Sequence, residues 1–286
     1  MLKKFRPQWD NLDGSILPDN HSGSLPDFLP LRPAPGSRKG ALLIICLGDS
    51  HTYGQGVNAA QAYPHRLEWI LNSHRHNRRV QVINAGSPGI CMIEKRRLYE
   101  IKYAAYGPAL VIVQTGNDLP RIAAHVIENR GAMGWRWRLT RWIYDKFPGS
   151  VLAQRAWSKT VAATEQEIKN FMLSPRGRRL LAVSQAVYSD NLRRLDSDIA
   201  RMGGRMMIVE YDMGDAVRGD FHHAINKAIV DAGLSLKPPV CVINERNLDD
   251  CHLPDGHLNS KGYQRFVSDL IGGECGRDMK RFFGPR

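Results

Sequence analysis

Four short segments, far apart in the chain, carry residues that can do chemistry together. Gly48-Asp49-Ser50-His51-Thr52-Tyr53-Gly54 offers a serine hydroxyl, and Asp255-Gly256-His257-Leu258-Asn259 offers an imidazole with a carboxylate two residues ahead of it. Asn84-Ala85-Gly86-Ser87-Pro88-Gly89 ends in a glycine whose N–H no side chain obstructs, and Gly116-Asn117-Asp118 offers a side-chain amide. A serine becomes a nucleophile only when a base takes its proton and a further group holds the base. The tetrahedral species then formed at a carbonyl carbon needs donors aimed at its oxyanion. Ser50 fits the first role, His257 the second and Asp255 the third. The N–H groups of Ser50 and Gly89 and the amide of Asn117 fit the donors. Each triplet alone arises often by chance; all four in this order are a strong signal.

Such segments work only if the fold gathers them. Five apolar runs read as strands: 41–47 (ALLIICL), 79–86 (RVQVINAG), 108–116 (PALVIVQTG), 205–211 (RMMIVEY) and 239–244 (PVCVIN). The first is short and unbroken, as a strand buried on both faces should be. Helical patterns separate the runs, among them Gln61 to His76, with Leu67, Ile70 and Leu71 on one face, and Met92 to Tyr106. Alternating strands and helices predict βαβ units and a parallel sheet, an α/β fold. In such sheets chemistry sits just past the carboxyl ends of the strands, where the first three segments lie. No internal repeat or low-complexity tract interrupts the pattern.

The four blocks resemble those of the SGNH hydrolases, also called the GDSL family of esterases and lipases. The resembling stretches are GDSHTYGQGV, NAGSPG, GND and DGHLNSKGY, spread over about Leu43 to Gly262. The resemblance implies a flavodoxin-like three-layer α/β/α sandwich around a five-stranded parallel sheet. It also implies Ser50 as nucleophile, His257 as base, and Gly89 and Asn117 joining the Ser50 N–H in the oxyanion hole. The implied activity is a serine esterase working through an acyl-enzyme on Ser50, on an acyl ester of a small molecule, carbohydrate or lipid. No metal or organic cofactor is called for. One departure stands out. The commoner family pattern has Asp three residues before the His, where this chain has Pro254; Asp255 gives D-x-H, a spacing found in branches acting on polysaccharide acyl groups. The pair Asp249 and His252 has the three-residue spacing and remains the alternative. His257 is preferred because HLNSKGY continues as the family block does, with Asn259 and Gly262 in place. Two other functions share these features: an O-acyltransferase with the same triad, and a non-catalytic module that binds polyanions.

Other motifs are excluded. No G-x-S-x-G elbow surrounds Ser50, and GDSHTYGQG is neither G-x-G-x-x-G nor a Walker A loop. Cys251, His252, Asp255 and His257 match no zinc spacing. Asp49 reads as a structural residue of the turn, Asp118 as a holder of the Asn117 loop, and His51 and His65 as ordinary polar residues.

The rest of the sequence bounds class and surroundings. The 286 residues are 43% hydrophobic and 24% charged, which excludes collagen-like, coiled-coil and wholly disordered chains. Forty Lys and Arg against 28 Asp and Glu give +12, favouring anionic partners. Residues 1–38 carry six prolines and read as an extended arm; 39–286 read as the hydrolase domain. Within it, 119–185 reads as a helical insertion holding Trp135, Trp137, Trp142 and Trp157, with twelve basic residues against four acidic, a net of +8. Two readings of that insertion stand: aromatics packed inward beneath a solvated basic face, or a cap that shapes substrate choice and contacts an anionic surface. Neither a membrane span nor a signal peptide is visible, so the cytoplasm is the default compartment. Five cysteines, odd in number and widely spaced, do not read as a disulfide framework; Cys46 and Cys241, inside apolar runs, read as buried thiols.

Overall fold

Each apolar run forms a strand. The computed structural model describes residues 41–73, 79–116, 118–129, 134–147, 150–212, 230–231, 233, 239–244, 250–253 and 256–282. The arm expected over 1–38 lies outside them. The strands are β1 (Leu42–Gly48), β2 (Val80–Gly86), β3 (Leu110–Thr115), β4 (Arg205–Asp212) and β5 (Val240–Asn244). All pair in parallel in the order β2-β1-β3-β4-β5, the doubly wound order of flavodoxin-like sheets, with helices on both sides. The chain starts in β1, crosses to β2, then returns past β1 to β3. The direction of winding therefore reverses between β1 and β3, the place past whose carboxyl ends open α/β sheets generally form their binding crevice.

The helices are α1 (Ser50–Tyr53), α2 (Tyr63–Ser73), α3 (Met92–Leu98), α4 (Asp118–Asn129), α5 (Trp135–Lys146), α6 (Val151–Leu173), α7 (Arg178–Arg201), α8 (Ser260–Ile271) and α9 (Gly273–Phe282). The expected helix from Met92 to Tyr106 is three pieces: α3 widens into a π turn (Tyr99–Tyr103) and ends in a 3₁₀ turn (Ala104–Tyr106), with Tyr99 and Tyr103 both buried.

The described residues fall into two compact units. The first comprises the described residues of 41–116 and 189–282 and holds the sheet. One face of the sheet (Ile44, Cys46, Val82, Ile112, Val209 and neighbours) packs with Leu67 of α2 and with Tyr263, Phe266 and Leu270 of α8. Alternate strand residues such as Ile45, Leu47, Val111, Val113 and Ile208 are buried on the opposite face, as the two-residue period demands. The second unit, 117–188, is helical. There α5 and α4 pack on α6, Trp137 meets Trp157 with ring centroids 4.6 Å apart, and Arg121 pairs with Glu165 at 3.4 Å.

One cysteine assignment is corrected. Cys241 is not a reduced thiol; it is joined to Cys275, 34 residues away, with Cα atoms 5.5 Å apart, inside the range a disulfide needs. The bridge arises because α9 returns against β5, a contact that spacing along the chain does not reveal. Cys46, Cys91 and Cys251 are buried thiols outside the bridge. Thiol labelling of the unfolded chain should therefore count three groups before reduction and five after. Replacing Cys241 and Cys275 by Ser should lower stability by about 3–4 kcal/mol, read as a fall in Tm.

Candidate active site

The turn after β1 is built around Asp49 and Ser50. Asp49 is the N-cap of α1, its carboxylate accepting from the His51 N–H at 3.0 Å, so Ser50 opens the helix with its side chain at the sheet's carboxyl edge. β2 runs hard against this turn: a Cβ on Gly86 would lie 2.1 Å from the Tyr53 nitrogen, so only glycine allows the approach. Asn84 fastens the contact, donating to the Tyr53 carbonyl at 3.2 Å and accepting from the Gly86 N–H at 3.0 Å. The Ser87 N–H bonds the Gly48 carbonyl at 3.0 Å, which carries the loop holding Gly89 onward from the Ser50 turn. Gly89 itself has φ +84°, in the left-handed region that favours glycine.

The ring that meets Ser50 is that of His257, with Nε2 2.9 Å from Oγ, a distance at which imidazole can take the hydroxyl proton. His257 sits on a short turn closed by its own backbone: its carbonyl accepts from the Leu253 N–H at 2.7 Å, and the Gly256 N–H bonds the Leu253 carbonyl at 2.9 Å. His252 and Leu258 bridge antiparallel beside it. Asn259 then caps α8, accepting from the N–H groups of Lys261 (2.9 Å) and Gly262 (3.1 Å) while its amide donates to the Asp250 carbonyl at 2.7 Å. A Cβ on Gly262 would lie 2.4 Å from the Cys251 carbonyl, which explains the glycine after the cap. Lys261 hydrogen-bonds Asp250 at 2.7 Å, and this bond with the ammonium charge holds the exposed carboxyl below the usual range. Asn117, Asp255 and the alternative partner Asp249 lie outside the described residues.

Two neighbours escaped the sequence reading. The ring of His51, assigned there as an ordinary polar residue, lies 5.1 Å from that of His257. Gln114, fully buried in β3, reaches across to the turn after β1, where its Oε1 accepts from the Asp49 N–H at 3.1 Å and the Thr52 hydroxyl at 3.2 Å. It thus grips the residues on both sides of Ser50. Its Nε2 is spent on the Thr115 carbonyl at 2.7 Å, which fixes the amide's orientation. Because Thr52 gives its proton to Gln114, the Tyr63 hydroxyl donates to Thr52 Oγ1 at 3.2 Å, and burial pushes that phenol well above its ordinary range. Beneath lie two buried ionisable groups: Lys95 donates to the Gln114 carbonyl at 2.8 Å, and Glu210 accepts from the Thr115 hydroxyl. The signal available in the sequence was a glutamine inside an otherwise apolar strand, VIVQTG. Gln114→Leu leaves the Asp49 N–H without its acceptor and lets the turn shift. Turnover should fall about 10–100-fold with KM little changed, measured by steady-state kinetics beside circular dichroism.

A parallel sheet in this order, with a serine and a histidine meeting past its carboxyl edge at the β1/β3 switch point, defines the fold class. No family model and no curated protein matches the chain. Solved structures share its fold. TesA superposes with a TM-score of 0.54 at 13% identity, over 84% of this chain and 99% of that one. The psychrotrophic esterase EstA from Pseudoalteromonas sp., in a structure inhibited by monoethylphosphonate, gives 0.51 at 12% over 85% and 99%. The acetyl xylan esterase AlAXEase gives 0.51 at 10% over 80% and 98%. The likeness is one of fold.

Proposed function

We propose that the protein is a serine ester hydrolase of the SGNH type. The observation that carries this reading is the 2.9 Å approach of His257 Nε2 to Ser50 Oγ at the switch point of the sheet. His257 Nε2 takes the Oγ proton as Oγ bonds to the ester carbonyl carbon. The N–H groups of Ser50 and Gly89 and the Asn117 amide receive the oxyanion. Collapse breaks the bond to the alcohol, which leaves with the proton from His257. Water, deprotonated by the same ring, then releases the acid and regenerates Ser50. Asp255 is assigned to orient and stabilise the imidazolium. Gln114 positions the nucleophile turn without touching substrate.

The substrate class is assigned as acyl esters of carbohydrate, lipid or small alcohols. The D-x-H spacing and the acetyl xylan esterase among the structural neighbours favour short acyl groups on carbohydrate. The helical segment 119–185, which follows Asn117 directly, is assigned a part in substrate choice. The Cys241–Cys275 bridge favours a compartment where thiols are oxidised over the cytoplasm. Among the described residues no helix is long and apolar enough to cross a membrane.

A p-nitrophenyl ester series from acetate to long chains, with and without sugar acceptors, tests the reading. Hydrolysis that peaks at short chains and is unaffected by acceptor is expected. Acyl transfer outpacing hydrolysis assigns the same machinery to an O-acyltransferase, and inactivity on every ester and acceptor overturns an enzymatic role.

A further inference from the structure

The helical unit shows solvent a face that a water-soluble helix would normally bury. Among the described residues eleven large hydrophobic side chains are exposed, and six of them fall between 135 and 152: Trp135, Leu139, Trp142, Phe147, Val151 and Leu152. Trp135, Leu139 and Trp142 follow the i, i+4, i+7 spacing of one side of α5, at 64%, 45% and 55% exposure. The helix is not facing the wrong way by accident, because its other side is packed. There Trp137 is buried against Trp157 and donates to Glu128 at 3.3 Å. Phe147, which caps α5 at its C-terminus, and Val151 and Leu152, which open α6, are exposed as well. Cations border it: Arg136, Arg138 and Lys146 are exposed, with the Arg136 guanidinium 5.6 Å over the Trp135 ring. The acid of this helix, Asp145, is engaged by Arg141 at 3.1 Å.

We propose that this face docks on the surface of an anionic lipid bilayer. Indoles and a phenylalanine settle at the headgroup level, leucines and a valine reach the acyl boundary, and the flanking cations meet the phosphates. Trp and Arg together would also suit a nucleic acid, but Leu139, Val151 and Leu152 gain nothing from phosphate or base. A second copy of the chain would set cation against cation. An apolar patch rimmed by positive charge fits a negatively charged surface with an apolar interior. The inference stands apart from the hydrolase reading, since it concerns a different surface and needs no turnover.

The full chain, mixed with vesicles of phosphatidylcholine alone or with equal phosphatidylglycerol, is followed by co-sedimentation and tryptophan emission. Binding to the phosphatidylglycerol vesicles, with a blue shift and loss of binding as salt rises, is the expected result. Two variants at exposed positions, Trp142→Ser with Leu152→Ser and Arg136→Glu with Arg138→Glu, should each bind about tenfold more weakly while their circular dichroism stays that of the parent. No binding to the anionic vesicles overturns the proposal. So does binding that the Trp142→Ser, Leu152→Ser variant retains in full, which marks simple polyanion affinity. A doubled mass in sedimentation velocity that this variant abolishes, without vesicle binding, assigns the face to a dimer instead.

Discussion

Ser50→Ala is expected to lower ester hydrolysis by about 10⁴–10⁶-fold while leaving the fold intact. The substitution removes the atom that would bond to the acyl carbon and changes little else. The Ser50 carbonyl still accepts from Gly54 and Gln55, at 3.1 Å each, and Asp49 still caps α1. Substrate binding should persist, so the loss appears in kcat, with thermal unfolding unchanged. A residual rate above that of water would come from the oxyanion donors and from positioning alone. A variant that kept a tenth of the activity would remove Ser50 from the chemistry.

His257→Gln is the second large loss, about 10⁴–10⁶-fold. Glutamine can occupy the space and hydrogen-bond Ser50 Oγ, but it cannot accept the proton. The turn that carries residue 257 is held by backbone bonds among Leu253, Gly256 and His257 and by the Asn259 cap, none of which uses the imidazole. Stability should therefore change little. Because nucleophile and base act as a unit, adding His257→Gln to Ser50→Ala should cost almost nothing further. His252→Gln separates the two histidine assignments: near-parental activity is expected. A collapse there, with His257→Gln active, would transfer the role to His252 and favour Asp249 as its partner.

Much of this architecture was legible in the residues. The five strands are runs of apolar side chains long enough to cross a sheet and too short for buried helices, and their limits moved by only one or two positions. The serine turn was legible because the Gly-Asp-Ser block follows such a run directly. Gln114 was not, since its meaning depends on β3 lying beside β1, a pairing that joins residues 62 and 65 positions apart. The disulfide was hidden for the same reason: Cys241 and Cys275 meet only because α9 folds back on β5. The aromatics of the helical segment divide into two pairs. Trp137 and Trp157 pack together as an inward-facing pair would, whereas Trp135 and Trp142 face solvent. Composition cannot distinguish the two pairs, because the difference lies in which side of α5 meets α6.

Covalent trapping tests the central assignment most directly. The full chain, incubated with a p-nitrophenyl alkylphosphonate, is weighed intact and then mapped by peptide mass spectrometry, beside Ser50→Ala and His257→Gln. The phosphonate mimics the tetrahedral species and stays on whichever oxygen attacks, displacing p-nitrophenolate. One phosphonyl group on Ser50, none on Ser50→Ala and slow labelling of His257→Gln are the expected results. A label on another residue, or no label on a chain that still hydrolyses esters, would contradict the assignment of Ser50 as the nucleophile.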